Sequence, residues 1–461
     1  MLIALLLLNP LLASTAAAQE DGAKSAEERL AELEEQFAAM QEQMEELRAQ
    51  VAREAEARVR EDAAMAGELA AGLEEVGAVA EAAAAESERL ASAEEAPRWE
   101  IGYKEGGGGF YARSPDGDLQ FRQLGYVQFV GSVFHDDFER ADAPGDFSIR
   151  RARVDWLVDF HDRYQLFIEF DGGPGSVPGS SDFALVEAKL TVDVNEAGTL
   201  QFIGGKYVSP FSTENLLSSR SIDTVERYIA LNSMFLLPAL DVQYGAMLRG
   251  YAFDRKLEVM AGVFNGNGRA NDNLSDDNGD KELQLKLNYR PNQRLKLGLG
   301  FDHTNEEVQS LQLRGLSFTP WVAVPIEGTR RAVTADFSFA EGPWSFRGEG
   351  LFADFSDADA ELWGGFVQGA RFLRGDSTDG LQALVRAETA NLDSRLLGPA
   401  FGDRIDALTF GLNWFWGGNY RLQLDAVGER YNGVSNLPAG SSRVEGDGWK
   451  PYLLTELQIK F

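Results

Sequence analysis

Nine basic side chains fall on the charged rows of alternating segments: Arg151, Arg153, Lys189, Arg249, Lys286, Lys296, Arg347, Arg386 and Arg421. A guanidinium is a planar fork of donors that stays charged at any working pH, so successive forks can receive phosphate or carboxylate oxygens and hand an anion along. The same side chains have a structural use. Arg347 with Glu349, Arg386 with Glu388 and Arg421 with Asp425 are same-row neighbours placed to form bridges. Bond-making chemistry is poorly supplied. The chain has no Cys and only three His, at 135, 161 and 303, and these do not assemble with a Ser and an acid into a triad. Residues 271–282 miss the EF-hand spacing, and the glycines at 106–109 lack the Lys-Ser/Thr that a phosphate-cradling loop needs. The expectation is a protein that is not an enzyme and uses no metal or cofactor.

The elements that carry these residues repeat. From residue 118 to the C-terminus, sixteen segments alternate in polarity with period two, beginning with 118–135 and 147–160 and ending with 420–433 and 449–461. In the second segment Arg150, Ala152, Val154, Trp156, Val158 and Phe160 share one face, and Arg151, Arg153, Asp155 and Asp159 the other. In the last, Leu453, Leu457, Ile459 and Phe461 oppose Glu456, Gln458 and Lys460. Short joints at 161–162, 195–198, 254–255, 291–292 and 418–419 alternate with mostly longer ones at 209–239, 267–280, 305–328 and 434–448. Short turns on one side and long loops on the other, with an even strand count, fit a transmembrane β-barrel. Periodicity alone leaves a soluble sandwich open, since both have one oily and one charged row; the joint pattern and the N-terminus favour the barrel.

Residues 1–12 are apolar and Ala16 to Ala18 precede Gln19, the form of a secretory signal peptide over 1–18. Residues 19–98 are rich in Ala and Glu. Leu30, Leu33, Phe37, Met40, Met44, Leu47 and Val51 step by three and four, which predicts an α-helical coiled coil. The register shifts by one before Leu69, Leu73, Val76, Ala80, Ala83 and Leu90, with polar Glu54, Arg58 and Glu61 between. A flexible linker is expected over 99–117 and the barrel over 118–461. Outside the leader no run of 18 apolar residues occurs, so a helical membrane span is not expected. The net charge of −30 argues against nucleic acid as a partner.

From about Phe147 the sequence resembles the phosphate-selective porin O/P family of Gram-negative bacteria. The stretches that carry the likeness are Arg150 to Arg153, Gly205 to Ser212, Ser218 to Arg220 followed by Glu226-Arg227, and Gly411 to Phe415. The resemblance implies a sixteen-stranded trimeric barrel whose third outer loop, here 209–239, folds inward to narrow the pore, and it adds Arg220 and Arg227 as candidates on that loop. The terminal Phe461 looks like the signal read by the barrel-assembly machinery. One departure stands out: family members specific for phosphate carry lysines on the inward loops, whereas 209–239 and 304–328 contain none.

The resulting expectation is an all-β, 16-stranded antiparallel transmembrane β-barrel preceded by a helical coiled coil. Its function would be passive diffusion of small solutes, anions such as phosphate, across the outer membrane, as a homotrimer with its N-terminal segment in the periplasm. Outer-membrane lipid and lipopolysaccharide would surround it. The rival is an anchor that tethers the envelope through the coiled coil.

Overall fold

The computed structural model describes residues 98–134, 145–173, 183–234, 242–266, 279–316, 320–394, 403–432 and 448–461, with scattered positions between 34 and 87. The expected signal peptide and His135 lie outside the described residues. The chain divides into two units, Met1–Ala96 and Pro97–Phe461.

In the first unit every described position from 34 to 60 is helical, as an Ala/Glu-rich stretch favours. Met40, Met44 and Val51, three of the heptad positions, are exposed on this single helix. No described helix is long and apolar enough to cross a membrane.

The second unit is one closed sheet. The sixteen expected segments correspond to strands β3 (Leu119–Phe134) through β18 (Trp449–Lys460), each paired antiparallel with the next, and β18 pairs back onto β3 to close a 16-stranded barrel. Closure removes the free edges that an open sheet of this size would present. At the seam Phe461 and Gly125 exchange both backbone hydrogen bonds at 3.0 Å. Side-chain alternation sets the faces. On β10 (Glu282–Tyr289) Glu282, Gln284, Lys286 and Asn288 are buried, whereas Leu283, Leu285 and Tyr289 are exposed. The same inversion runs around the wall: Phe301, Phe337, Trp363, Phe410, Leu453 and Ile459 point outward into the surroundings while Asp302, Arg330, Arg386 and Glu456 point in. Water cannot be the medium outside such a wall; lipid can.

Three features depart from the sequence reading. The stretch 99–117, expected as a linker, holds a hairpin of β1 (Glu100–Lys104) and β2 (Gly109–Arg113), and β2 pairs with the lower part of β3 that β18 does not reach. Strands β11 (Leu295–Arg314) and β12 (Pro320–Glu341) continue through most of 305–328, expected as loop, because Leu311 and Leu313 find Val324 and Ile326 across the ribbon. A bulge in β4 (Gly145–Phe160), where Ile149 and Arg151 face Phe129 and Gln128, inserts Arg150 as the extra residue. It therefore does not sit on the oily row: its guanidinium reaches Glu226 on the long loop at 3.0 Å. The joint at 161–162 turns as expected, with positive φ at both His161 and Asp162, the twist that two-residue hairpins require.

Candidate functional site

The lumen is crossed by the segment between β7 (Leu200–Val208) and β8 (Val242–Ala252). It is described to Met234 and carries two short helices, α1 (Thr213–Leu216) and α2 (Ile229–Met234). Ser212 caps α1 by accepting the Asn215 N–H at 3.0 Å. The apolar sequence of α2 gives its fixed position: Ile229, Leu231 and Met234 are buried against Ala353, Leu362, Ala390 and Ile405 of the wall and against Leu311, Leu313, Val324 and Ile326 of the long hairpin. Gly364 admits this approach. A Cβ there would lie 2.7 Å from that of Ala230 and 2.4 Å from the Thr389 carbonyl oxygen.

Inward side chains of the wall satisfy the backbone of the crossing segment one group at a time. Glu349 accepts the Glu214 N–H at 3.0 Å and the Tyr228 hydroxyl at 2.9 Å. Burial, reinforced by the Glu349 charge, holds the Tyr228 phenol well above its ordinary pKa, so it stays a donor. Glu388 accepts the Ile229 N–H at 2.8 Å and Asp425 the Val225 N–H at 2.7 Å. Asn413 and Gln423 each donate to the Asp223 carbonyl at 2.8 Å, and Arg421 donates to that of Ile222 at 2.8 Å. Backbone groups buried between this segment and the wall are out of reach of water, so these contacts are what make its position possible.

All eleven candidate cations are inside the barrel, and they divide into two groups. Five are buried. Arg153 donates to Asp171 at 2.9 Å and Glu169 at 2.6 Å. Lys286 pairs with Asp336 at 2.5 Å. Arg386 donates to Glu214 at 3.2 Å and to the Thr224 hydroxyl at 2.9 Å, with Glu388 at 3.5 Å. Arg421 adds Glu456 at 3.3 Å to its carbonyl contact. Arg227 holds the crossing segment together, donating to the carbonyls of Glu214 at 3.2 Å and Leu217 at 2.6 Å and to the Ser219 hydroxyl at 3.2 Å.

The other six stay partly open. Lys189 pairs with Glu187 at 2.6 Å, Arg220 with Asp155 at 3.5 Å, Arg249 with Glu258 at 3.7 Å and Arg347 with Asp223 at 3.3 Å. Arg151 donates to the Gln128 amide oxygen at 2.9 Å. Lys296 makes no hydrogen bond or ion pair with a described residue. Of the three bridges expected along single strands, Arg386–Glu388 forms; Arg347 turns to Asp223 and Arg421 to Glu456 instead. The sequence reading passed over Arg122, paired with Asp159 at 3.0 Å, and Arg330, buried between Glu282 at 2.7 Å and Asp302 at 2.8 Å. Strict alternation places both inward and would have found them.

Among the described residues no group of three or more His, Cys, Asp or Glu is placed to hold a metal ion. No curated protein matches the chain. Several solved structures share the fold. OmpT of Vibrio cholerae superposes with a TM-score of 0.52 at 12% identity, covering 75% of this chain and 98% of that one. An anion-selective porin from Comamonas acidovorans gives 0.51 at 11% identity over 74% and 100%, and OprB of Pseudomonas putida at high pH gives 0.52 at 10% over 75% and 95%. Identities this low speak for the barrel architecture alone. The sequence itself is more specific: residues 127–314, from β3 through the crossing segment to the end of β11, match the model of the family described as phosphate-selective porin O and P.

Proposed function

We propose that the chain forms a water-filled channel for passive diffusion of small solutes, anions such as phosphate among them, through the outer membrane of a Gram-negative bacterium. The observation that carries this reading is the inverted wall, apolar outside and charged inside, with a chain segment fixed across its bore. A channel needs no catalytic constellation: selectivity comes from charges at the narrow part. Arg151, Lys189, Arg220, Arg249, Lys296 and Arg347 are the cations a passing solute meets, whereas Arg153, Arg227, Lys286, Arg386 and Arg421 hold the wall and the crossing segment. Of these six, Arg151 and Lys296 have no carboxylate partner among the described residues, so the anion preference is modest.

The exposed heptad residues Met40, Met44 and Val51 favour helix association, and a homotrimer with the N-terminal segments in the periplasm uses them as its coiled coil. Phe461, held at the seam by Gly125, is the mark for the assembly machinery, and the exposed apolar band meets outer-membrane lipid and lipopolysaccharide. No described residue favours the tether reading. Planar-bilayer recordings test the proposal: purified protein should give discrete ohmic conductance steps and, under a KCl gradient, a reversal potential on the anion side of zero. Absence of channels removes the function; a cation-side potential removes the anion preference.

A further inference from the structure

The carboxylates beside the open cations change what the channel selects. Four charge pairs expose both partners to the bore: Arg122–Asp159 with side chains 34% and 34% accessible, Lys189–Glu187 with 28% and 11%, Arg249–Glu258 with 29% and 13%, and Arg347–Asp223 with 17% and 24%. They are spread around the inner wall. Arg122 and Asp159 stand on β3 and β4, Lys189 and Glu187 on β6 (Ala184–Asp193), and Arg249 and Glu258 on β8 and β9 (Leu257–Phe264). Arg347 is on β13 (Trp344–Phe355), opposite the crossing segment's Asp223. The strand-borne members all lie within about six residues of the short-turn end, so they occupy one zone of the lumen rather than scattered points.

A lone cation attracts any anion; a contact pair acts as a dipole, whose field on a single ion largely cancels a few ångströms away. A small solute that carries both an ammonium and a carboxylate is different, because it can lay its own dipole antiparallel to the pair and make two charge-assisted contacts at once. Exchange is fast because exposed pairs are individually weak, of order 0–1 kcal/mol, so such a solute is not trapped. Conduction needs this balance: favourable enough to enter and weak enough to leave.

Resting on the channel reading, we propose that this zone favours small zwitterions, the α-amino acids being the simplest class, over equally small neutral solutes and over simple anions. The crossing segment, without lysine, is consistent with this: its basic residue that reaches the open zone, Arg220, arrives beside Asp155.

The test uses the full chain in liposomes and planar bilayers. Isotonic swelling with glycine, with glycerol as a neutral solute of similar size, and with phosphate should rank glycine first, by about two- to fivefold over glycerol. The double substitution Asp223→Asn with Glu258→Gln bares Arg347 and Arg249 and leaves two of the four pairs, so it should cut the glycine advantage about in half while moving the reversal potential further toward the anion side. Lys189→Gln with Glu187→Gln, which removes one pair entirely, should lower the glycine advantage without moving the reversal potential. Conducting channels that pass glycine no faster than glycerol, or phosphate faster than both, overturn the zwitterion proposal and leave the channel standing; absence of conductance overturns both.

Discussion

The two sides of the barrel interior use the same residue types to different ends. On β14 (Ala360–Gly375) through β18 the inward polar groups Gln382, Arg386, Glu388, Asn413, Gln423, Asp425 and Glu456 are all buried, because the crossing segment lies on them. On β3 to β9 the guanidinium and ammonium groups nearest the short turns, Arg122, Lys189 and Arg249, remain about a third exposed. An ion pair on the first wall is a structural joint whose charges have been taken out of water. On the second wall the pairs nearest the short turns are surface features facing a solute path, whereas Arg153, deeper in, is buried with Glu169 and Asp171. The same Arg-carboxylate chemistry therefore holds a loop in one place and can meet a permeant in the other, and exposure decides which.

Removing one guanidinium from the packed wall should give the largest effect. Arg386→Leu leaves Glu214 and Glu388 buried without their cation, at a cost of about 3–5 kcal/mol. The temperature at which the folded barrel unfolds in detergent should fall steeply and single-channel conductance should rise as the segment loosens. Lys189→Leu on the open wall should cost under about 1 kcal/mol. Equal losses in the two variants would erase the distinction between the walls. Ile229→Ala comes next: it opens a cavity among Leu311, Leu362 and Ile405, for about 2–4 kcal/mol, with noisier open-channel current as the readout of a freed segment. Gly364→Ala is milder, about 1–3 kcal/mol, because one methyl group must be accommodated against Ala230 and the Thr389 carbonyl. A conductance change without a stability change would mean that α2 shifts as a unit.

How much of this was legible beforehand follows from the range over which each contact acts. Strand existence and facing are local, so period-two alternation located all sixteen barrel strands and put nine basic residues inside; Arg220 and Arg227 came from the family resemblance. Bulges are local too, but they leave no mark in polarity, and Arg150 was assigned to the wrong row. The ribbon at 305–328 was missed because Pro320 and Pro325 interrupt its alternation, although edge pairing tolerates them. The pairings were the least legible. Residues two apart on a strand lie some 6–7 Å from each other, and a carboxylate brought in by a loop can come closer. Arg347 therefore takes Asp223, which is 124 positions away, rather than Glu349, and nothing in the sequence around either residue says so.

The smallest expected effect is also the most selective. Lys286 on β10 and Lys296 on β11 both neighbour Asp336, but Lys286 is buried in contact with it at 2.5 Å and Lys296 is half-buried with no ion pair among the described residues. Lys286→Gln should therefore act on stability, since it strands a carboxylate that burial had made dependent on its partner. Lys296→Gln should leave the unfolding temperature unchanged. A unit charge about 7 Å from a passing ion in water is worth about 0.6 kcal/mol, favourable for an anion and unfavourable for a cation, so its loss should lower the anion-to-cation permeability ratio by up to about sevenfold, read as a shift of the reversal potential toward zero. That shift should shrink at molar salt, where the Debye length falls to about 3 Å. If Lys286→Gln moved the reversal potential and Lys296→Gln the unfolding temperature, the roles of exposed and buried cations would have to be exchanged.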